Sequence, residues 1–405
     1  MKNKHLKVLV IVLSVLLVAA ITTLVIFLIT KNEDEKKPDT NDEVSKDFDY
    51  LGADLSKYIT LSENDYQSNT VTLGTNYLIT DELVQQYIDD ECFKNRKKEN
   101  GGNLITDQPI KRGDSAFIYY TGYLNGEKFE GGSNATDKYS YELVIGSGSF
   151  IDGFEDGLIG VIPDETSQDN PHVLHLTFPK DYKNADLAGK SVIFEVWVEY
   201  TIQYSIPEFN DEFVATALKY NGTAEEYRAE VKTNLETTAK KEAESAAVSA
   251  ILNKLIEKSK VLEYPEESVD YWYARYIEQY EYYMQYYAYY YGYSFSSIDE
   301  FIVAYLGLGE NDDWKAITVD YAKEVVRNNL IYYTIAEQQG LSVTEEEYKK
   351  GVKALAEYYS NESQTYTEES IVKEVGEAQI RQNILFDKVD DYLLEHCTIE
   401  YKDAE

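Results

Sequence analysis

The stretch "SVIFEVWVEY", residues 191–200, alternates apolar and other side chains with a period of two. That period places Val192, Phe194, Val196, Val198 and Tyr200 on one face of a β-strand. "VLHLTF", residues 173–178, alternates in the same way. Gly and Asp punctuate the chain between Gly113 and Tyr204, so this segment reads as a small β-rich domain. Upstream, "VTLGTNYLIT" (71–80) looks extended, and "TDELVQQYIDDECF" (80–93) looks like a helix with Leu83, Val84, Tyr87 and Ile88 on one side. Downstream of Pro207 the pattern changes to long helices. Thr223–Glu226, Ser297–Glu300 and Thr344–Glu347 each fit the capping-box spacing, Gly340 sits where a helix should end, and no proline follows Pro265.

The chain has 405 residues, 38 of them tyrosine, and a net charge of −35. So acidic a chain repels phosphate backbones, which argues against a nucleic-acid partner, and it attracts positively charged segments. Two cysteines, Cys92 and Cys397, are too few for a disulfide framework. They could pair in an oxidising compartment, but nothing in the sequence shows them to be near each other.

At the N-terminus, "VLVIVLSVLLVAAITTLVIFLIT" (8–30) carries no charge, and at ~1.5 Å per residue it is long enough for a ~30 Å bilayer core. Lys2, Lys4 and Lys7 precede it, and Glu33, Asp34 and Glu35 follow. These flanks predict a single-pass cell-membrane anchor with the N-terminus cytoplasmic and the remaining domains extracytoplasmic. A cleaved signal peptide with Ala19-Ala20 as its small residues is the alternative, though it would leave "ITTLVIFLIT" as a sticky apolar end. "NEDEKKPDTNDEVSK" (32–46) has no apolar periodicity and reads as a solvated tether.

Familiar catalytic constellations are scarce. His5 lies in the N-terminal tail and His396 ends the last helix, while His172 and His175 lie in or beside a strand and read as surface residues. No H-E-x-x-H or C-x-x-C occurs, so no metal and no cofactor is expected. "GGSNA" around Ser133 lacks the second glycine of a nucleophile elbow and reads as a loop.

Three further stretches, "GDSAFIYYTGYLNGEKFEGG" (113–132), "YELVIGSGSFIDGFEDGLIGV" (141–161) and "LTFPKDYKNADLAGKSVIFEVWV" (176–198), together resemble the FKBP-type peptidyl-prolyl isomerase domain over about 95 residues. The "LAGK" and "FEGG" forms are similar to the trigger factor branch. "IPEFNDEFVA" (206–215), "TAEEYRAEVKTNLE" (223–236) and "QQGLSVTEEEY" (338–348) resemble trigger factor's helical chaperone domain. The basic ribosome-docking domain of that family has no counterpart here, so no ribosome docking is expected. Combined with the apolar N-terminal run and the acidic stretch after it, the resemblance gives an α+β multidomain chain: an N-terminal transmembrane helix (1–31 with its tail) and an acidic tether (32–47), both read from the residues themselves, and a linker region with a helix (48–105). An FKBP-like antiparallel β-sheet domain with a short helix (106–205) and an all-α chaperone domain with extended arms (206–405) follow. It places the catalytic pocket on Tyr120, Phe129, Glu130, Tyr141, Phe150, Ile151, Phe154 and Phe194, with Tyr182 at the rim. Family members often carry tryptophan at the position of Phe154 and aspartate at that of Glu130; trigger factors commonly show phenylalanine and glutamate. The same aromatics could instead be only the core of a small β-domain.

"YIEQYEYYMQYYAYYYGYS" (276–294) lies on the helical part. Tyr276, Tyr280, Tyr283, Tyr287 and Tyr290 fall on a core-like stripe, whereas Tyr282, Tyr286, Tyr289 and Tyr293 fall on a neighbouring face. Phenols give broad, semi-rigid contact with a hydroxyl that stays soluble, which suits transient contact with unfolded chains. The client-binding candidates are therefore Tyr276, Tyr280, Tyr282, Tyr283, Tyr286, Tyr287, Tyr289 and Tyr290. The expected function is a membrane-anchored extracytoplasmic foldase. It would isomerise and hold unfolded or nascent secreted polypeptides with X–Pro bonds. A holdase or peptide-binding surface protein with a catalytically weak FKBP-like domain is the alternative.

Overall fold

The computed structural model describes residues 47–309, 312–360 and 365–402. They fall into two units: Leu78–Ala239, and the described residues up to Tyr77 together with those from Lys240 onward.

Leu78–Ala239 holds one six-stranded antiparallel sheet: β1 (Leu104–Ile105), β2 (Ser115–Leu124), β3 (Glu127–Ser133), β4 (Tyr141–Val144), β5 (His172–Thr177) and β6 (Ser191–Ile202). β2 and β6 form the central pair. β3 and β4 add to β2, and β1 and β5 add to β6. The alternation in β6 buries Val192, Phe194, Val196 and Val198 against Ala116, Ile118, Leu143, Leu174 and Phe154. Tyr200 departs from the expected face. The register with β2 shifts between Ile118↔Val198 and Phe117↔Tyr200, so Glu199 is an extra residue. A bulge of this kind switches the side-chain parity. Tyr200 therefore stacks on the outward Phe117, with ring centroids 4.4 Å apart.

Helix α1 (Asp81–Lys94) starts at Thr80, whose hydroxyl accepts from Leu83 N–H. Its buried stripe is Val84, Ile88 and Cys92, at i, i+4, i+8, whereas Leu83 and Tyr87 are exposed. Cys92 packs with Phe213 and Val214 of α2 (Asp211–Thr216); Val84 and Ile88 pack on Val231 of α3 (Ala224–Lys258). The expected capping box at the start of α3 is present: Glu226 N–H donates to Thr223 Oγ1 and Thr223 N–H donates to the Glu226 carboxylate.

The second unit is built from α4 (Glu266–Tyr291), α5 (Ile298–Leu306), α6 (Trp314–Gln339), α7 (Glu345–Tyr359), α8 (Glu368–Val375) and α9 (Glu377–Glu395), with the end of α3. Helix α6 is its centre, burying Val326, Leu330, Ile331 and Ile335 completely. The box at Thr344 is complete. At Ser297 only half forms, because the Glu300 carboxylate turns to Ser296 N–H instead. Gly340 closes α6 at φ 64°, a left-handed cap that favours glycine.

Residues 47–77 belong to this helical unit rather than forming a free connection. Tyr50, Leu55, Ile59, Leu61, Tyr66 and Val71 are buried in its core, and Tyr50 stacks on Tyr333 at 4.6 Å. Asn69–Leu73 pairs in parallel with the C-terminal strand Cys397–Tyr401, where the sequence pattern predicted only the end of a helix. Both cysteines are free thiols.

The membrane-spanning helix expected at Val8–Thr30 lies outside the described residues. Among the described residues no helix is long and apolar enough to cross a membrane. The reason is charge: α3 repeats Glu and Lys along its length, and α6 carries Lys315, Asp320, Lys323, Glu324 and Arg327. The fold class is corrected accordingly to an α+β chain of a sheet domain and a helical domain. The single-pass membrane localisation with extracytoplasmic domains is corrected with it.

Candidate functional site

A cleft of about 590 Å³ opens in the sheet domain. Eight of the nine expected pocket residues line it: Tyr120, Phe129, Glu130, Tyr141, Phe150, Ile151, Tyr182 and Phe194. The ninth, Phe154, is fully buried and supports the wall from behind, with its ring centroid 4.2 Å from Phe150 and 5.1 Å from Phe194. Tyr120 meets Phe150 edge-on at 5.3 Å, and Phe129 meets Phe194 edge-on at 5.8 Å. Such edge-to-face pairs hold rings at fixed angles. Tyr120 and Phe194 are supplied by β2 and β6, Phe129 by β3, and Tyr141 by β4.

Two glycines make room for Phe129. A Cβ on Gly122 would lie 2.6 Å from its ring, and one on Gly132 would lie 2.5 Å away. Phe178 and Leu187 also line the cleft and escaped sequence reasoning. Phe178 is the last apolar residue of the "VLHLTF" alternation, and its ring lies 4.5 Å from that of Tyr182. The rim loop is pinned by Gly189 N–H donating to Pro179 O and Phe178 N–H donating to Lys190 O.

The most consequential residue outside the expected pocket set is Glu155. Its buried carboxylate accepts from the backbone N–H groups of Gly146 (2.7 Å), Gly148 (3.1 Å), Ser149 (2.8 Å) and Phe150 (3.3 Å), and from Ser147 Oγ (3.2 Å). One side chain thus fixes the loop that presents Phe150 and Ile151. On the facing side, Asn134 Oδ1 accepts from Tyr120 N–H at 2.7 Å while its amide donates to Ile118 O at 3.1 Å. The "GGSNA" stretch, expected as a loop, instead ends strand β3 at Ser133, paired with Thr121, and its Asn134 supports the Tyr120 wall. Burial pushes the Tyr120 phenol above its usual range, and Tyr141 and Asp137 push it further, so it stays protonated at neutral pH. His172 Nε2 lies 2.9 Å from Gly157 O, outside the cleft lining, and His175 is exposed.

On α4, Tyr276 and Tyr280 are 7% and 3% exposed and belong to the core of the helical unit. Burial drives the Tyr280 hydroxyl up to about 12 and the Tyr276 hydroxyl higher still. Neither can offer a contact surface. Tyr283 and Tyr287 are half-buried against Tyr305, and Tyr282 and Tyr286 are half-buried beside them. Tyr289 is 78% exposed, and Tyr290, Tyr291 and Tyr293 are exposed with it. The phenols thus grade from core to surface along the helix. Among the described residues no His, Cys, Asp and Glu group is arranged to hold a metal ion.

Residues 106–203 match the family described as "FKBP-type peptidyl-prolyl cis-trans isomerase", and the aromatic cleft lies within that range. Residues 223–395 match "Bacterial trigger factor protein (TF) C-terminus". A trigger factor of Caldicellulosiruptor saccharolyticus is 29% identical over 318 residues, covering 78% of this chain and 67% of the relative. One of Bacillus cereus (strain Q1) is 31% identical over 294 residues, covering 71% and 65%. The chain thus spans about two thirds of the length of these relatives. A solved structure described as "Promiscuous Substrate Recognition in Folding and Assembly Activities of the Trigger Factor Chaperone" is 16% identical, with a TM-score of 0.38, covering 83% of this chain and 72% of that one. The class is set by the pair of domains, an FKBP-type isomerase domain followed by a trigger factor C-terminal domain. The chain is a trigger factor-like protein.

Proposed function

We propose that this chain is a folding helper. Its sheet domain would catalyse cis/trans isomerisation of X–Pro bonds in unfolded polypeptides, and its helical unit would hold those chains meanwhile. The observation that carries the proposal is the cleft itself: a wall of phenyl and phenol rings backed by Phe154, with no lysine, arginine or histidine in the lining. X–Pro rotation needs no proton transfer. Its barrier is roughly 18–20 kcal/mol, and unaided exchange takes ~10–100 s. The twisted transition state has lost amide resonance and its charge separation. A cleft that removes water from the amide therefore favours the twisted form over the planar one. Tyr120, Phe129, Phe150, Ile151 and Phe194 would hold the prolyl ring, with Tyr141, Tyr182 and Glu130 at the edges.

For holding, the tyrosines available are Tyr282, Tyr283, Tyr286, Tyr287, Tyr289 and Tyr290, since Tyr276 and Tyr280 are core. Exposed phenols offer adaptable contact without the self-association of an aliphatic patch. The deciding experiment is an X–Pro peptide assay with the full chain and with Phe194→Ala, the variant's fold checked by circular dichroism. Acceleration by the full chain that drops at least tenfold in a folded variant supports the proposal. No acceleration above buffer, with aggregation of an unfolded client still suppressed, would favour a holdase whose sheet domain only binds peptides.

A further inference from the structure

We infer that the outward face of the sheet binds a linear aliphatic polyamine, a chain of methylenes carrying ammonium groups at intervals. One face of the sheet closes on the core through Val192, Phe194, Val196 and Val198. The opposite face carries Phe117 and Tyr119 of β2 beside Trp197 and Tyr200 of β6. Tyr119 stacks on Trp197 with ring centroids 5.4 Å apart, and Phe117 stacks on Tyr200. These four rings are half-buried, pack on no buried core cluster among the described residues and take no part in the cleft lining. They leave an apolar strip on the sheet surface, and a methylene chain can lie on it as the stem of a lysine does. The chain already places one such cation here: Lys128 on β3 pairs with Tyr123 and holds its ammonium 5.9 Å from the Tyr123 ring centroid.

Carboxylates punctuate the strip. In "EVWVE" (195–199), Glu195 and Glu199 stand two residues to either side of Trp197, and Glu142 of β4 is paired with Phe117. At ~3.3 Å per residue the first two are about 13 Å apart along the strand, so they suit ammonium groups spread along a chain rather than one compact ion. Glu142 and Glu199 are exposed and Glu195 is half-buried. Glu195 accepts from Tyr123 OH at 3.0 Å and Glu199 from Ser140 Oγ at 2.6 Å, both neutral donors. None of the three carboxylates forms an ion pair among the described residues. Burial raises the Tyr200 phenol above its usual range, and Glu199 and Glu142 raise it further, which puts both charges within reach of this ring pair. Carboxylates without a counter-cation, set around open rings, attract a cation that can also cover the rings. The occupant is a free polyamine rather than a lysine-rich peptide, because β2 and β6 bond each other along the strip and leave little backbone for a peptide to pair with.

The test is calorimetric titration of the full chain at low ionic strength with spermidine and, separately, with hexaamminecobalt(III), an equally charged but compact cation without a methylene stem. Spermidine should bind about tenfold more tightly, the gain from laying the stem on the rings. Glu195→Gln combined with Glu199→Gln should weaken spermidine about tenfold, as two exposed ion pairs lost together. Glu225→Gln combined with Glu236→Gln removes the same charge from exposed positions on α3 and should leave binding within about twofold. Trp197→Ala, its fold checked by circular dichroism, should bring spermidine down to the level of the compact cation. Equal binding of the two cations, or an equal loss in both pairs of carboxylate variants, assigns the effect to the field of the whole acidic chain and overturns the inference. Binding of an oligolysine peptide with none of spermidine also overturns it, giving the face to a polypeptide. Should Trp197→Ala unfold, the glutamine variants, which change charge and not shape, decide.

Discussion

Replacing Glu155 by alanine should loosen the aromatic cleft without touching its lining. The carboxylate accepts four backbone N–H bonds and one from Ser147 Oγ, and it is 6% exposed. Charge-assisted bonds of this type contribute roughly 1.5–3 kcal/mol each when removed singly. The sum overstates the loss, because a freed loop at the cleft edge regains water on most of those N–H groups. A net cost of about 2–4 kcal/mol remains, equivalent to a fall on the order of 10 °C in the melting of the sheet domain. Glu155→Gln should fall between the two, since its amide directs donors at donors on one side. Amide exchange at residues 146–150 measures the local effect, and kcat/KM on an X–Pro peptide measures the consequence for Phe150 and Ile151. Unchanged protection at Gly146 and Ser149, together with activity within twofold of the unsubstituted chain, would refute the role assigned to Glu155.

Gly122→Ala places a methyl 2.6 Å from the Phe129 ring and 2.7 Å from the Phe194 ring, so it should cost about 1–3 kcal/mol and displace the cleft wall. A chemical denaturation curve reads the first effect, and lowered peptide turnover in the still-folded variant reads the second. In the helical unit Asp390 accepts from Tyr332 OH at 2.7 Å, and burial, reinforced by Asp387 and Asp391, raises its carboxyl from 3.8 to about 7. A raised folded value means the folded state binds the proton more tightly, so this contribution is complete below about pH 4 and lost as pH rises through 7. Asp390→Asn should therefore melt like the parent at pH 4 and be more stable by roughly 2–4 kcal/mol at pH 8; parallel pH profiles for both proteins would contradict this. Changing Tyr282, Tyr286 and Tyr289 together to serine should weaken suppression of client aggregation several-fold while peptide isomerisation is retained. Loss of helical circular dichroism in that variant would instead make these phenols structural.

Strict alternation made the sheet legible: Val192 to Val198 needed only the period of two. The helical half was legible through its caps, Thr223 and Thr344 above all. What escaped the sequence were features set by distant partners. Tyr200 changes face because of an extra residue that only the pairing with β2 reveals. The side of α1 that is buried depends on Val231 and Phe213, more than a hundred residues away. In the cleft, family motifs supplied the rings, and they include Glu155 after Phe154, but only the structure shows its carboxylate to be the acceptor that holds residues 146–150. Leu187 reaches the cleft through the rim loop, whose path no periodicity encodes. Tyr276 and Tyr290 share one helical stripe in sequence, and only the packing of α4 on α6 separates the core phenol from the surface one.

The strand pair Asn69–Leu73 and Cys397–Tyr401 has a consequence for how the chain is made. The sheet domain is a continuous insertion, Leu78–Ala239, within a helical unit whose sequence is split around it. During synthesis the insertion can mature as soon as Ala239 is clear of the ribosome. The early segment 47–77, with Tyr50, Tyr66 and Val71 still uncovered, must wait for α6 and finally for the last few residues. A chain broken before Cys397 would therefore leave a finished sheet domain attached to a helical unit with Asn69–Leu73 unpaired.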